Sequence, residues 1–249
     1  MRGGNVLKRG RKTKQPVNLT SQKHDYRLQG IILTTHNVSA HGKLLGKPNI
    51  SQNLGGAEIQ GIEKAITRLR QKGVLAPELL AYDLKGRIFL TRIGSKRRAL
   101  KANSLQAYLE RINSFKGKIP GSYMRQLSSL LSSAARTIAV LHTNGIAHGH
   151  PHFRNFVVSK AKIGIHDFRF TAILKTNWKN AEETWLCLYP DFFSIEEFSW
   201  RIIERSSGEK RQLLEKLRRK FYERIVQYYP FPPEEKRKFM RILQRNLFL

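Results

Sequence analysis

The chain has 249 residues, 40% hydrophobic and 10% aromatic, enough to bury a sizeable core as one two-lobed domain or two small ones. This composition excludes a disordered chain. One cysteine, Cys187, excludes an intramolecular disulfide framework and a cysteine-based metal site, and no apolar run approaches the roughly 18 residues of a membrane span. With 46 Lys and Arg against 18 Asp and Glu, the formal net charge is +28. Such a surface attracts polyanions, whether nucleic acid, anionic lipid headgroups or a phosphorylated glycan.

The first 24 residues carry seven Lys or Arg and no carboxylate, which reads as a mobile basic tail. They lack an apolar h-region, so a secretory signal is not expected. The expected location is the cytoplasm, with peripheral contact at the inner membrane surface left open. From Tyr26, RLQGIILTT reads as a strand rich in β-branched residues. The next stretch, HNVSAHGKLLGKPNISQNLGG, reads as loop, strand, loop, with Leu44-Leu45 as its apolar centre.

AEIQGIEKAITRLRQKG then spaces Ile59, Ile62, Ile66 and Leu69 by 3, 4 and 3, one face of a helix closed by Gly73. After Pro77, ELLAYDLKGRIFLTRI reads as two strands joined at Leu84-Lys85-Gly86. LKANSLQAYLERINSF reads as a helix with Ser104 as N-cap. MRQLSSLLSSAARTIAVLHTNGI is a longer helix ending before Gly145. FVVS and KIGIHD are short strands around a Ser159–Ala161 turn. From Glu182 onward, helical segments alternate with breaks at Pro190, Gly208 and Pro230-Phe231-Pro232-Pro233. Strands with one helix come first and a mostly helical half follows, which predicts an α+β fold of two lobes.

The chemistry-bearing stretch is IAHGHPHFRNFVVSKAKIGIHDFRF, Ile146 to Phe170. His148, His150 and His152 alternate, so an extended segment would put them on one side. Zinc needs about four ligands, and no Cys or HExxH partner accompanies them. The spacing instead resembles the catalytic half of the protein-kinase-like superfamily: a His-Gly-(Asp)-x-x-x-x-Asn loop, a strand pair, then Asp-Phe-Gly. AITRLRQKGVLAPELLAYD resembles the helix-to-strand join of its small atypical branch, the lipopolysaccharide-core and Kdo kinases, the RIO kinases and the small kinase of the tRNA threonylcarbamoylation complex.

The resemblance implies a two-lobed kinase-like fold with a basic tail at 1–24, a first lobe at 25–93 and a second at 94–249. It implies ATP and Mg²⁺ as cofactors, with Asn155 and Asp167 as metal ligands. It implies a Lys–Glu pair for the nucleotide phosphates, for which Lys47 fits better than Lys43. Aligning on Gly73 and Pro77 puts Ile62 in the Glu slot, which leaves Glu58, four residues earlier on the same face, ahead of the rotated Glu63. No phosphate-covering Gly-rich loop precedes them. Asp191 falls where such kinases hold the catalytic loop by its backbone, or else is an ordinary residue near a helix start. The acceptor would be a hydroxyl of a phosphorylated glycan, such as a lipopolysaccharide-core sugar, or of an acidic protein.

Two departures bear on activity. The catalytic Asp position holds His150, and Asp-Phe-Gly becomes Asp167-Phe168-Arg169. A neutral His accepts a proton as a carboxylate does, and His152 is a second candidate for that work. Arg169 would touch phosphate or pair with an acidic residue. The other reading is a pseudokinase, a binding module acting on RNA, anionic membrane or an acidic partner through its basic patches. Those patches are Gly94–Lys101 and the helix carrying Lys210, Arg211, Lys216, Arg218, Arg219 and Lys220. The run Trp185, Tyr189, Phe192, Phe193, Phe198, Trp200 reads as core.

Overall fold

A computed structural model describes residues 17–18, 26–28, 31–33, 48–52, 58–83, 88–92, 103–159 and 162–247. In chain order these form β1 (Val17–Asn18), β2 (Tyr26–Leu28), β3 (Ile31–Leu33), β4 (Pro48–Gln52), α1 (Ile59–Gln71), β5 (Glu78–Asp83) and β6 (Ile88–Arg92). Then come β7 (Asn103–Ser104), α2 (Leu105–Ser114), α3 (Gly121–Thr143), β8 (Ile146–Ala147), β9 (Phe156–Ser159), β10 (Lys162–Ile165) and β11 (Ala172–Ile173). The chain continues through α4 (Ala181–Ser199), α5 (Gly208–Tyr228) and α6 (Pro233–Leu247). The fold is α+β and mostly helical, with small, chiefly antiparallel sheets. Among the described residues no helix is long and apolar enough to cross a membrane.

The first sheet runs β1-β5-β6-β4, with β1 parallel to β5 and the other pairs antiparallel. The expected strand at Leu44-Leu45 and the candidate Lys47 lie outside the described residues. The strand found nearby is β4, at Pro48–Gln52, which the Pro and Asn had marked as loop. Its place at the sheet edge explains the proline, since a first residue on an edge strand gives up no ladder hydrogen bond. The single strand expected across RLQGIILTT is two, β2 and β3, paired antiparallel on either side of Gln29-Gly30.

α1 buries Ile59, Ile62, Ile66 and Leu69, the face its spacing predicts, and Gly73 follows its end at φ +77. The join between α1 and β5 is fastened to β10: Leu75 N–H donates to the Ile163 carbonyl at 3.3 Å. A Cβ on Gly164 would lie 2.1 Å from the Leu75 carbonyl oxygen, so only glycine permits this approach. Ser104 caps α2, its hydroxyl accepting from Ala107 N–H at 3.2 Å. α3 buries Leu127, Leu130, Leu131, Ala135, Ile138 and Leu141 and turns at Gly145, φ +74.

The break expected at Pro190 does not occur, because α4 runs through it. Pro190 removes one donor opposite the carbonyl of Leu186, and both residues face solvent, where water can take that carbonyl. The aromatic run divides as well. Trp185, Phe192 and Trp200 are core, whereas Tyr189, Phe193 and Phe198 are 42%, 47% and 46% exposed. α5 buries Leu214, Leu217 and Phe221, and part of its basic face is used within the fold. Lys210 donates to the carbonyls of Asn113 and Phe115 at the end of α2, and Arg218 pairs with Glu196 at 3.0 Å.

Candidate active site

The loop after β8 is held from below by one carboxylate. Asp191, on α4 and fully buried, accepts from His148 N–H at 2.9 Å, from Gly149 N–H at 2.5 Å and from His142 Nε2 at 2.8 Å. Burial pushes its carboxyl up, but the His142 hydrogen bond and the neighbouring imidazoles outweigh that and hold it below its ordinary value. Ser199, at the end of the same helix, accepts Phe153 N–H at 2.8 Å. Asp191 therefore holds the loop by its backbone from the middle of α4, and the alternative reading of it as an ordinary residue near a helix start does not hold.

Gly149 has φ +79, and a Cβ there would lie 2.2 Å from the Phe170 carbonyl oxygen. The His-Gly-His loop and the Asp-Phe-Arg turn thus lie back to back, with glycine required at the contact. His148, buried, donates Nε2–H to the His166 carbonyl at 2.9 Å, and its ring packs 4.9 Å from Phe168. The three histidines do not converge. His150 and His152 pack against each other at 4.3 Å and against Phe198 at 5.3 and 5.8 Å. Among the described residues, no group of three or more His, Cys, Asp or Glu is arranged to hold a metal.

Asn155 and Asp167 flank the β9–β10 pair, whose register sets Phe156 opposite Ile165, and His166 N–H donates to the Asn155 carbonyl at 3.1 Å. Asn155, 5% exposed, commits Nδ2 to the His150 carbonyl at 2.9 Å, so Oδ1 is what it has to offer. Asp167 is the one non-glycine of positive φ among the described residues, at φ 70 and ψ 61. An Asp tolerates this left-handed turn better than most residues, and such strain gathers at functional sites. Arg169 grips its carboxylate with both arms of the fork, Nε to Oδ1 at 2.5 Å and Nη2 to Oδ2 at 2.7 Å. Burial works to raise the Asp167 pKa, but this pairing prevails and lowers it.

His150 is half-buried, its Nδ1 3.3 Å from Ser194 Oγ and its ring 5.4 Å from Phe170. Burial lowers its pKa, with the charge of Asp167 opposing and that of Arg169 reinforcing the shift. The imidazole is therefore neutral at pH 7. The structure thus brings His150, Asn155 and Asp167 together. Glu58 is exposed at the start of α1, and Ile62, in the slot of the paired Glu, is fully buried. With Lys47 outside the described residues, the Lys–Glu pair has no described geometry.

Sequence reasoning missed Ser194, Ser199 and His142 as supports of the loop. It also missed Arg154, Arg201 and Arg205, which line a cavity beside the loop with Phe198. The i, i+3, i+4, i+7 spacing of Phe198, Arg201, Ile202 and Arg205 was a readable signal for the latter. Compared with known proteins, the chain matches no family model and no curated relative.

Proposed function

We propose that the chain is an atypical small kinase of the protein-kinase-like type, with two lobes and a nucleotide cleft between them, transferring the ATP γ-phosphate to a hydroxyl. The observation that carries this reading is the loop built around Asp191. One buried carboxylate fixes the backbone of His148 and Gly149, His148 fixes the turn that presents Asp167, and Asn155 fixes the His150 carbonyl. A solvated basic loop needs none of these ties. Phosphoryl transfer is served by such ties, because its catalysis is chiefly positioning and charge.

The donors suit magnesium, since Asn155 Oδ1 and the Asp167 carboxylate are the hard oxygens that ion prefers. Magnesium would supply charge neutralisation of the phosphates, and Arg169 must release the carboxylate for it to bind. Burial favours the neutral form of His150, whose unprotonated ring nitrogen would take the proton of the acceptor hydroxyl. A thermal-shift titration with ATP and Mg²⁺, followed by a turnover assay, tests the reading. We expect stabilisation by nucleotide and turnover that vanishes in Asp167→Ala. No nucleotide binding by the unaltered chain would end it.

The Arg169 fork specifically favours a second reading, a pseudokinase-type binding module acting on RNA, anionic membrane or an acidic partner. A guanidinium on both oxygens of Asp167 sets a permanent positive charge where a metal would otherwise bind. Nucleotide binding without turnover, or salt-sensitive RNA binding without nucleotide, would select this reading.

A further inference from the structure

The side of α4 that holds the loop is buried, but the helix has a second side. There Leu186, Tyr189, Pro190 and Phe193 follow the i, i+3, i+4, i+7 spacing of one stripe, and all four are exposed, Leu186 by 74%. The rings of Tyr189 and Phe193 lie 5.7 Å apart, which makes the stripe one continuous apolar patch. Its charge is the reverse of the rest of the molecule. Between Lys179 and Arg201 runs the longest stretch of the sequence without a Lys or Arg, in a chain of formal charge +28. A carboxylate stands at each end of the stripe, and each already has a cation, Glu182 with Lys238 at 3.5 Å and Glu197 with Arg201. Pro190 also leaves the Leu186 carbonyl, on the same stripe, without its helical donor.

We propose that this stripe is the two-fold interface of a homodimer, α4 packing antiparallel on the α4 of a second copy. Charge selects the occupant. Two chains this positive repel across most surfaces they could share, and a self-matched face without cations is where that repulsion is least. The spacing supplies the symmetry. A two-fold axis between Tyr189 and Pro190 sets Leu186 opposite Phe193 of the second copy, and Tyr189 opposite Pro190, where its hydroxyl donates to the Leu186 carbonyl. The same axis sets Glu182 opposite Glu197, so the Lys238–Glu182 pair of one copy meets the Glu197–Arg201 pair of the other, neutral against neutral. From Glu182 to Glu197 the contact runs about 22 Å along the helix, a small interface that gives a weak, reversible dimer. The dimer braces the helix from which Asp191 holds the His148–Gly149 loop. None of this depends on the kinase reading.

Analytical ultracentrifugation of the full chain tests this. The chain is expected to pass from monomer to dimer between about 1 and 100 µM, and added salt strengthens the dimer by screening the net repulsion while leaving the apolar contact. Leu186→Asp and Phe193→Lys, both at exposed positions, each weaken association at least roughly tenfold. The two substitutions combined in one chain restore it, because the two-fold brings those positions face to face in both halves of the interface. Tyr228→Ser, at an exposed ring on α5, leaves it unchanged. Circular dichroism checks that each variant is folded. A chain monomeric at every concentration overturns the proposal, as do dimers that survive both single substitutions. Association that grows without stopping at two, or a double variant no better than the singles, overturns the antiparallel two-fold.

Discussion

A carboxylate removed from solvent costs several kcal/mol unless its lone pairs are filled, and Asp191 fills them with three donors, two of them backbone N–H groups of the loop. Asp191→Ala would leave those buried donors without a partner. We expect it to destabilise the protein by at least about 3 kcal/mol, read as a fall in the urea midpoint. Asp191→Asn keeps one acceptor oxygen and should cost clearly less. Arg169 is the opposite kind of residue, since its fork restrains a group that would otherwise be available. Removing it in Arg169→Gly exposes both Asp167 oxygens. Under the kinase reading, affinity for ATP with Mg²⁺ rises roughly tenfold in a thermal-shift or calorimetric titration. If affinity falls instead, the guanidinium itself was contacting phosphate, and the pseudokinase reading gains.

The elements meet through backbone contacts that tolerate no side chain, and these can be separated from glycines needed only for their dihedral. At Gly149 both constraints apply, φ +79 and a Cβ 2.2 Å from the Phe170 carbonyl, whereas Gly73 has φ +77 and open space around it. Gly73→Ala should therefore cost about 1–2 kcal/mol, the left-handed penalty alone. Gly149→Ala and Gly164→Ala should cost well above that, by forcing the loop off the Asp-Phe-Arg turn and the α1–β5 join off β10. Chemical denaturation of the three variants checks the ranking. The helices were legible because their apolar faces repeat at 3.6 residues, as in Ile59, Ile62, Ile66 and Leu69, and because Ser104, Gly73 and Gly145 punctuate their ends. β4 was not, since a strand of sequence Pro-Asn-Ile-Ser-Gln has a single apolar residue and no alternation to read. In the site, the order Asn155, strand pair, Asp167 was legible from spacing. The fork of Arg169, the Ser194 contact and the arginine-lined cavity depend on which side chains meet across elements, and spacing along the chain does not encode that.

Across the whole molecule the charge is strongly positive, yet the site concentrates neutral histidines, and this sets how the protein responds to acid. His148, His150 and His152 all have folded pKa values lowered, in each case first by burial, and His152 is pushed down to about 4 from 6.5. Between those values the unfolded chain binds protons that the folded one refuses. Stability is then full above about pH 6.5 and is lost progressively as the pH falls toward 4. Asp167 and Asp191 add a later loss: burial raises both, but Arg169 and His142 prevail and hold them below 3.8, so their contribution goes only as the pH falls beneath that value. The urea midpoint should therefore be flat from about pH 8 to 6.5, decline between 6.5 and 4, and fall steeply below. The double variant His150→Gln, His152→Gln removes the protonation of two of the three histidines and should flatten most of the first decline while leaving the second. A first decline unchanged in that variant would place the acid-sensitive groups elsewhere, at His148 or outside the loop.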